Sequence, residues 1–242
     1  MCGRYGLRVN FQTLAKLLRA EPVADVEWGP DYNIAPTDQA PVLLPAPDTR
    51  ALPELALFRW GLVPFWAKGP REGAKMINAR SDGVATKPAF REALAARRLL
   101  VPASGWYEWT PAGPDTADRK PDPHWIHALP EAPEQLSMFA GLWAKWKDPA
   151  SGDTLRTFSI ITTDAADTTR VIHDRMPVVL DAAAQARWLD PRTSTADAQA
   201  LLVPYEGTLA HRRVRKEVNS VRSDGPQLIE PLEPPAQTRL AL

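Results

Sequence analysis

Apolar positions first divide the chain into elements. Phe11, Leu14, Leu17 and Leu18 recur at the spacing of one helix face, and Asn10 stands where an N-cap belongs, so the pattern predicts a helix that Pro22 stops. Residues 28–41 carry Pro, Asp and Asn without periodicity and read as irregular. Residues 42–44 and 55–60 are β-type runs on either side of the turn-forming PAPDTRALPE. RWGLVPFWAK then places two tryptophans and a phenylalanine within seven residues. Such aromatics serve either as core or as a binding surface.

Residues 74–83 lead into a second helical stretch, PAFREALAARR, with Phe90, Leu94 and Ala95 as its apolar positions. LLVPASGWYEW predicts a strand, a tight turn at Ser104-Gly105 and a second strand. Residues 110–123 have no apolar periodicity and read as an exposed loop. HWIHAL, MFAGLWAKW, RTFSIITT and PVVL follow as strands. Late helices are expected over 182–189, capped by Asp181 and stopped by Asp190-Pro191, and over 195–202. From Glu230 the chain is Pro-rich and expected to be ordered only by docking. Strands cluster with few helices between them, which predicts one α+β domain of mostly antiparallel sheets.

Composition narrows this little. Apolar residues make up 44% and charged residues 24% of the 242, ordinary values for a soluble globular protein. No apolar run approaches the ~18 residues of a membrane span, and the N-terminus lacks a signal-peptide pattern, so a cytoplasmic location is expected. Net charge is zero, with 14 Lys and Arg against 10 Asp and Glu in the first hundred residues. That asymmetry is compatible with an anionic partner and equally with surface scatter. HRRVRKE, residues 211–217, is the densest basic run and reads as phosphate contact or solvated charge.

The candidate chemistry begins at the only cysteine, Cys2. Removal of an initiator Met would leave it with both a thiol and an α-amine of pKa about 7.7–8.0, a 1,2-aminothiol able to attack an aldehyde and close to a thiazolidine. The plain alternative is a stray cysteine near a mobile terminus. Asn78 and Arg80 lie together in MINAR, Asn with donor and acceptor, Arg with a phosphate-matching fork; they also fit a turn Asn and a surface Arg. Glu108 lies in WYEW, where strand alternation turns either the carboxylate or its aromatic neighbours inward. An inward Glu108 would have a raised pKa suited to acid–base work. His173, followed by Asp174 and Arg175, fits proton shuttling or a structural role. His124 and His127 would point to opposite strand faces, and no metal site is expected.

In order, MCGRY, YNIAPT, RWGLVPFWAK, INARSD, RRLLVPASGWYEW, FAGLW, SIITTDA, IHDRMPVVL and VNSV resemble the SOS-response-associated peptidase (SRAP) family, whose members sense abasic sites in single-stranded DNA. The resemblance implies a barrel-like core with peripheral helices, a SRAP domain over 1–229 and a Pro-rich tail over 230–242. It implies a covalent DNA–protein crosslink in which an abasic-site aldehyde condenses with Cys2 to a thiazolidine. Asn78 would orient the cysteine or sugar, Glu108 would move protons, and His173 would be the second acid/base. Arg4 and Arg80 would clamp phosphates, and Trp66 and Pro36 would line the DNA groove. No cofactor, metal or membrane is implied; the partner is abasic single-stranded DNA, and the protein would be a monomer associated with the nucleoid when on DNA. Leu99 stands where some members carry a second cysteine, and PFWAK has one tryptophan where relatives can have two. Two other functions compete: a thiol peptidase or self-processing enzyme using Cys2 and His173, and a non-covalent single-strand binding module.

Overall fold

The computed structural model describes residues 2–48, 51–111, 120–132 and 134–232. In chain order the elements are β1 (Tyr5–Leu7), α1 (Phe11–Leu18), β2 (Glu21–Pro22), β3 (Asp31–Ile34), β4 (Gln39–Leu44), β5 (Glu54–Trp60), β6 (Asn78–Arg80) and α2 (Pro88–Ala96). They continue with β7 (Arg98–Ala103), β8 (Gly105–Thr110), β9 (Asp122–Ala128), β10 (Ser137–Lys147), β11 (Thr154–Asp164) and α3 (Asp167–Arg170). The last are β12 (Arg175–Pro177), α4 (Ala182–Leu189), α5 (Thr195–Ala200) and β13 (Leu209–Arg213).

Local chemistry explains the helix boundaries. Asn10 Oδ1 accepts the Thr13 N–H at 2.8 Å and starts α1. The helix ends before Pro22, because Arg19 turns into the left-handed region (φ 49°) and its N–H caps the last carbonyls. Pro22 instead ends the short edge strand β2, where a missing N–H costs little. Asp181 and Ser194 cap α4 and α5 through their side chains, on Ala184 N and Asp197 N. The stretch expected to be irregular over 28–41 contains β3 and the start of β4. Asn33 and Tyr32 have partners in distant segments there, which local propensity cannot register.

Five strands close a barrel in the order β11-β10-β7-β4-β5, with β5 returning to β11 in parallel through Thr157↔Arg59 and Phe158↔Trp60. Its interior is aromatic. Trp60 stacks on Phe158 with centroids 6.3 Å apart and meets Tyr5 edge-on at 5.2 Å, while Trp106 meets Phe139 at 5.7 Å. Such pairs add about 0.5–1.5 kcal/mol each beyond their burial. A second sheet, β13-β9-β8-β1-β3, lies against the barrel.

The chain passes from barrel to second sheet at Ser104, whose N–H donates to Gly6 O at 2.8 Å. The expected tight turn is therefore not a hairpin: β7 pairs with β10 and β4, and β8 pairs with β1 and β9. Gly105 is needed at the crossing, since a Cβ there would lie 2.5 Å from both Ile126 O and a Trp125 ring carbon. In the basic run 211–217 three of the four Lys and Arg are paired. Arg212 engages Glu131 at 2.6 and 2.8 Å, while Arg213 and Lys216 reach Asp122 at 3.0 and 3.2 Å. Residues 112–119 of the expected loop and 233–242 of the expected tail lie outside the described residues. No helix among the described residues is long and apolar enough to cross a membrane.

Candidate active site at the N-terminal strand

Strand β1 places Cys2. Tyr5 pairs with Trp106 and Gly6 with Gly105, and the pairing extends backward through Tyr107 N–H on Arg4 O at 2.9 Å. Cys2 is thus laid along β8 toward Glu108, fully buried in the barrel-side core. Asn78 Nδ2 donates to Cys2 O at 2.7 Å, and β6 sets that asparagine by pairing in parallel with β11, Asn78 opposite Ile160. The Asn78 Oδ1 is buried and has no partner among the described residues.

Glu108 is only 2% exposed. Alternation puts it with Trp106 on the barrel face, while Tyr107 packs the opposite face with Trp125, Val214, Val218 and Leu228 and the partly buried Trp109 lies against that cluster. Both faces of β8 are therefore covered. The choice posed by the sequence, carboxylate inside or aromatics inside, dissolves because the C-terminal segment roofs the aromatic side. Burial pushes the Glu108 carboxyl up to about 7. Burial, and after it the Glu108 charge, pushes the Cys2 thiol far above its ordinary range.

His173 approaches along the far end of β11. Its N–H donates to Thr169 O at 3.1 Å, and β12 begins two residues later with Arg175 opposite Asp164. The ring Nδ1 lies 2.9 Å from Arg175 N and 2.8 Å from Asp174 Oδ1. Burial pushes the imidazole down, toward the neutral form at pH 7. Asp174 is in turn one of the charges that Glu108 feels, after the larger effect of burial. Asn78 is thus carried on β6 and His173 on the segment that leads into β12, both strands pairing with β11, while Cys2 and Glu108 come from the second sheet.

The residues expected to meet DNA separate into different settings. Arg80 is half exposed and holds Asp82 in a two-pronged contact, Nη2 to Oδ2 at 2.8 Å and Nε to Oδ1 at 3.2 Å. Arg4 is buried, its Nη1 donating to Asn33 Oδ1 at 2.6 Å and Val218 O at 2.8 Å. It offers little surface to a phosphate and braces β1 against the C-terminal segment. Trp66 is 49% exposed and Phe65 69% exposed, with ring centroids 4.9 Å apart. They line a cavity of about 280 Å³ with Pro64, Trp143, Arg97 and Lys145. Pro36 is not among its lining residues; it precedes Thr37, whose N–H donates to Trp60 O at 2.9 Å.

Two residues of the site escaped the sequence reading as actors. Asn33 ties β3 to Ser220 O and Ser223 O at 2.9 and 2.5 Å, and also receives Arg4. Arg175 holds Asp164 at 2.6 Å and Thr162 O at 2.7 Å. The signal for both was a charged or amide group inside an otherwise apolar stretch, YNIAP and RMPVVL. Among the described residues no group of three or more His, Cys, Asp and Glu could hold a metal ion.

A family model described as SOS response associated peptidase (SRAP) matches residues 1–221. The abasic site processing protein YoqW of Bacillus subtilis is 35% identical over 233 residues, covering 95% of this chain and 99% of its own. The abasic site processing protein HMCES of Gallus gallus is 30% identical over 270 residues, covering 96% of this chain and 78% of its own. The crystal structure of a Bacteroides thetaiotaomicron protein matches with a TM-score of 0.80 at 24% identity, covering 95% of this chain and 99% of that one, a likeness of fold. Family model, relatives and fold agree from the N-terminal strand to the segment that roofs β8, and the chain belongs to the SOS response associated peptidase family.

Proposed function

We propose that this protein captures abasic sites in single-stranded DNA as a covalent thiazolidine, formed by the amine and thiol of Cys2 after Met1 is removed. The observation that carries this is the placement of Cys2: its carbonyl is held by Asn78, beside a buried carboxyl that titrates near neutrality. The relatives' names point to abasic sites as the substrate class. In the chemistry, the amine lone pair forms a C–N bond to the aldehyde carbon and water leaves. The sulfur then adds to the imine carbon while the thiol proton passes to nitrogen, closing the five-membered ring.

Proton transfer at each step suits a group poised near the working pH, which is where Glu108 stands; His173 is the second acid/base. Arg80 supplies the accessible cation for phosphate and Trp66 an aromatic face for a base. Arg4 acts from beneath by holding β1. All four proposed reacting residues come from one chain, so a monomer suffices. A thiol peptidase would need a stabilised thiolate, and the direction in which burial pushes Cys2 disfavours one.

Intact-mass measurement before and after mixing with an abasic single-stranded oligonucleotide tests the proposal. The expected result is loss of Met1 and an adduct resistant to denaturation, absent in Cys2→Ala and in a chain with an uncleavable extension before Cys2. An adduct that survives either change overturns it. Equal, purely reversible binding of abasic and intact strands would favour a plain binding module instead.

A further inference from the structure

We infer that Asp174 is the positioning residue that sets which nitrogen of His173 carries the proton, and so decides whether that ring transfers protons or only donates a hydrogen bond. The inference deepens the proposed role of His173 and rests on it for its catalytic consequence, though not for its geometry.

The Nδ1 of His173 has two neighbours with opposite demands. The Arg175 N–H at 2.9 Å donates to a lone pair on that nitrogen, whereas the Asp174 carboxylate oxygen lies 2.8 Å away as an ion-pair contact and, turned into the ring plane, accepts a proton carried there. A ring nitrogen serves as donor or acceptor, never both. When Nδ1 accepts from Arg175, neutral His173 carries its proton on Nε2 and can only donate a hydrogen bond there, since losing that proton would leave an imidazolate. When Nδ1–H donates to Asp174, Nε2 holds the lone pair. It can then take a proton from a substrate O–H or N–H, the bonding pair staying on the substrate atom, and later return it.

The surrounding backbone makes Asp174 the adjustable partner. His173 N–H is fixed on Thr169 O, Ala165 N–H on Asp174 O at 2.9 Å, and Arg175 is registered against Asp164 in β12. The Arg175 N–H cannot leave without disturbing β12. The Asp174 side chain is 85% exposed and can swing on or off Nδ1 without opening a cavity. This places one carboxylate in charge of the tautomer while the backbone offers the competing bond at no conformational cost.

The test is the ¹⁵N spectrum of the His173 ring in free, labelled protein, assigned by comparison with His173→Gln and recorded where the ring is neutral. Wild type is expected to have Nδ1 protonated for a measurable fraction of the time. In Asp174→Ala the proton should reside wholly on Nε2, and Asp174→Glu should restore part of the wild-type pattern. Adduct formation in Asp174→Ala should slow on the order of tenfold, with affinity for intact strands unchanged. Identical ring spectra in wild type and Asp174→Ala, or shifted spectra with unchanged adduct kinetics, overturn the inference. Absence of any adduct in wild type would instead overturn the covalent proposal, leaving the tautomer measurement to stand separately.

Discussion

Glu108 shows how burial on both sides converts an ordinary strand carboxyl into a group that titrates near neutrality. Burial pushes its pKa up to about 7 in the fold, from an ordinary value of 4.5. A carboxyl raised in this way binds more protons when folded than unfolded, so stability falls as pH rises from the unfolded value to the folded one. The wild type should therefore lose up to ~3 kcal/mol between those two pH values and level off above them. Glu108→Gln should be flat across that window and at least as stable as wild type on its alkaline side, measured by urea unfolding at a series of pH values. The same substitution should slow adduct formation by about two orders of magnitude. Parallel pH profiles for the two proteins would mean that Glu108 is not the buried acid.

At the scale of elements, the crossing from β7 to β8 fixes where Cys2 and Glu108 meet. Gly105→Ala forces a methyl into the carbonyl and ring that face it across β8 and β9, an overpacking worth about 1–3 kcal/mol. Because β8 is the template for β1, the substitution should also displace Cys2 and depress adduct yield. Asp181→Ala is the matching control. It removes the cap of α4, whose bond is 2.8 Å long, at a cost of about 1 kcal/mol, and it should leave the adduct rate untouched. Thermal unfolding and adduct kinetics on the two variants separate loss of stability from loss of alignment. Equal adduct rates in both would detach the β7–β8 crossing from the chemistry.

Over the whole molecule, the C-terminal segment covers the face of the second sheet that points away from the barrel. Asn33 is its anchor, giving both amide protons to Ser220 O and Ser223 O while accepting Arg4. Trp109 Nε1 on Asn219 Oδ1 at 2.7 Å and Tyr107 OH on Tyr32 O at 2.7 Å extend the same seam. Asn33→Ala leaves a buried guanidinium short of an acceptor and two carbonyls short of donors, a loss of about 2–3 kcal/mol. The expected readout is a lower unfolding midpoint and faster proteolytic cutting near residues 218–224, together with a weaker adduct yield as β1 loosens. Unchanged proteolysis would show that the roof over β8 does not depend on this residue.

What could be read without a structure was what repeats or sits locally. The caps Asn10 and Asp181, the span of α4, the β-runs of β5, β10 and β11 and the chemistry-bearing stretches around Cys2, Asn78, Glu108 and His173 each lie within a few adjacent residues. Propensity and periodicity act over that distance. Strand β3, the sheet change at Ser104, the pairing of Arg212, Arg213 and Lys216 in the basic run and the burial of Arg4 did not, because each depends on a partner tens to hundreds of residues away. For Glu108 the two faces of one strand had seemed to exclude each other, and only the packing of residues from Val214 onward against Tyr107 and Trp125 buried both. Sequence determined which groups were available; the tertiary structure decided which lost their water, and burial is what moves a carboxyl toward neutrality.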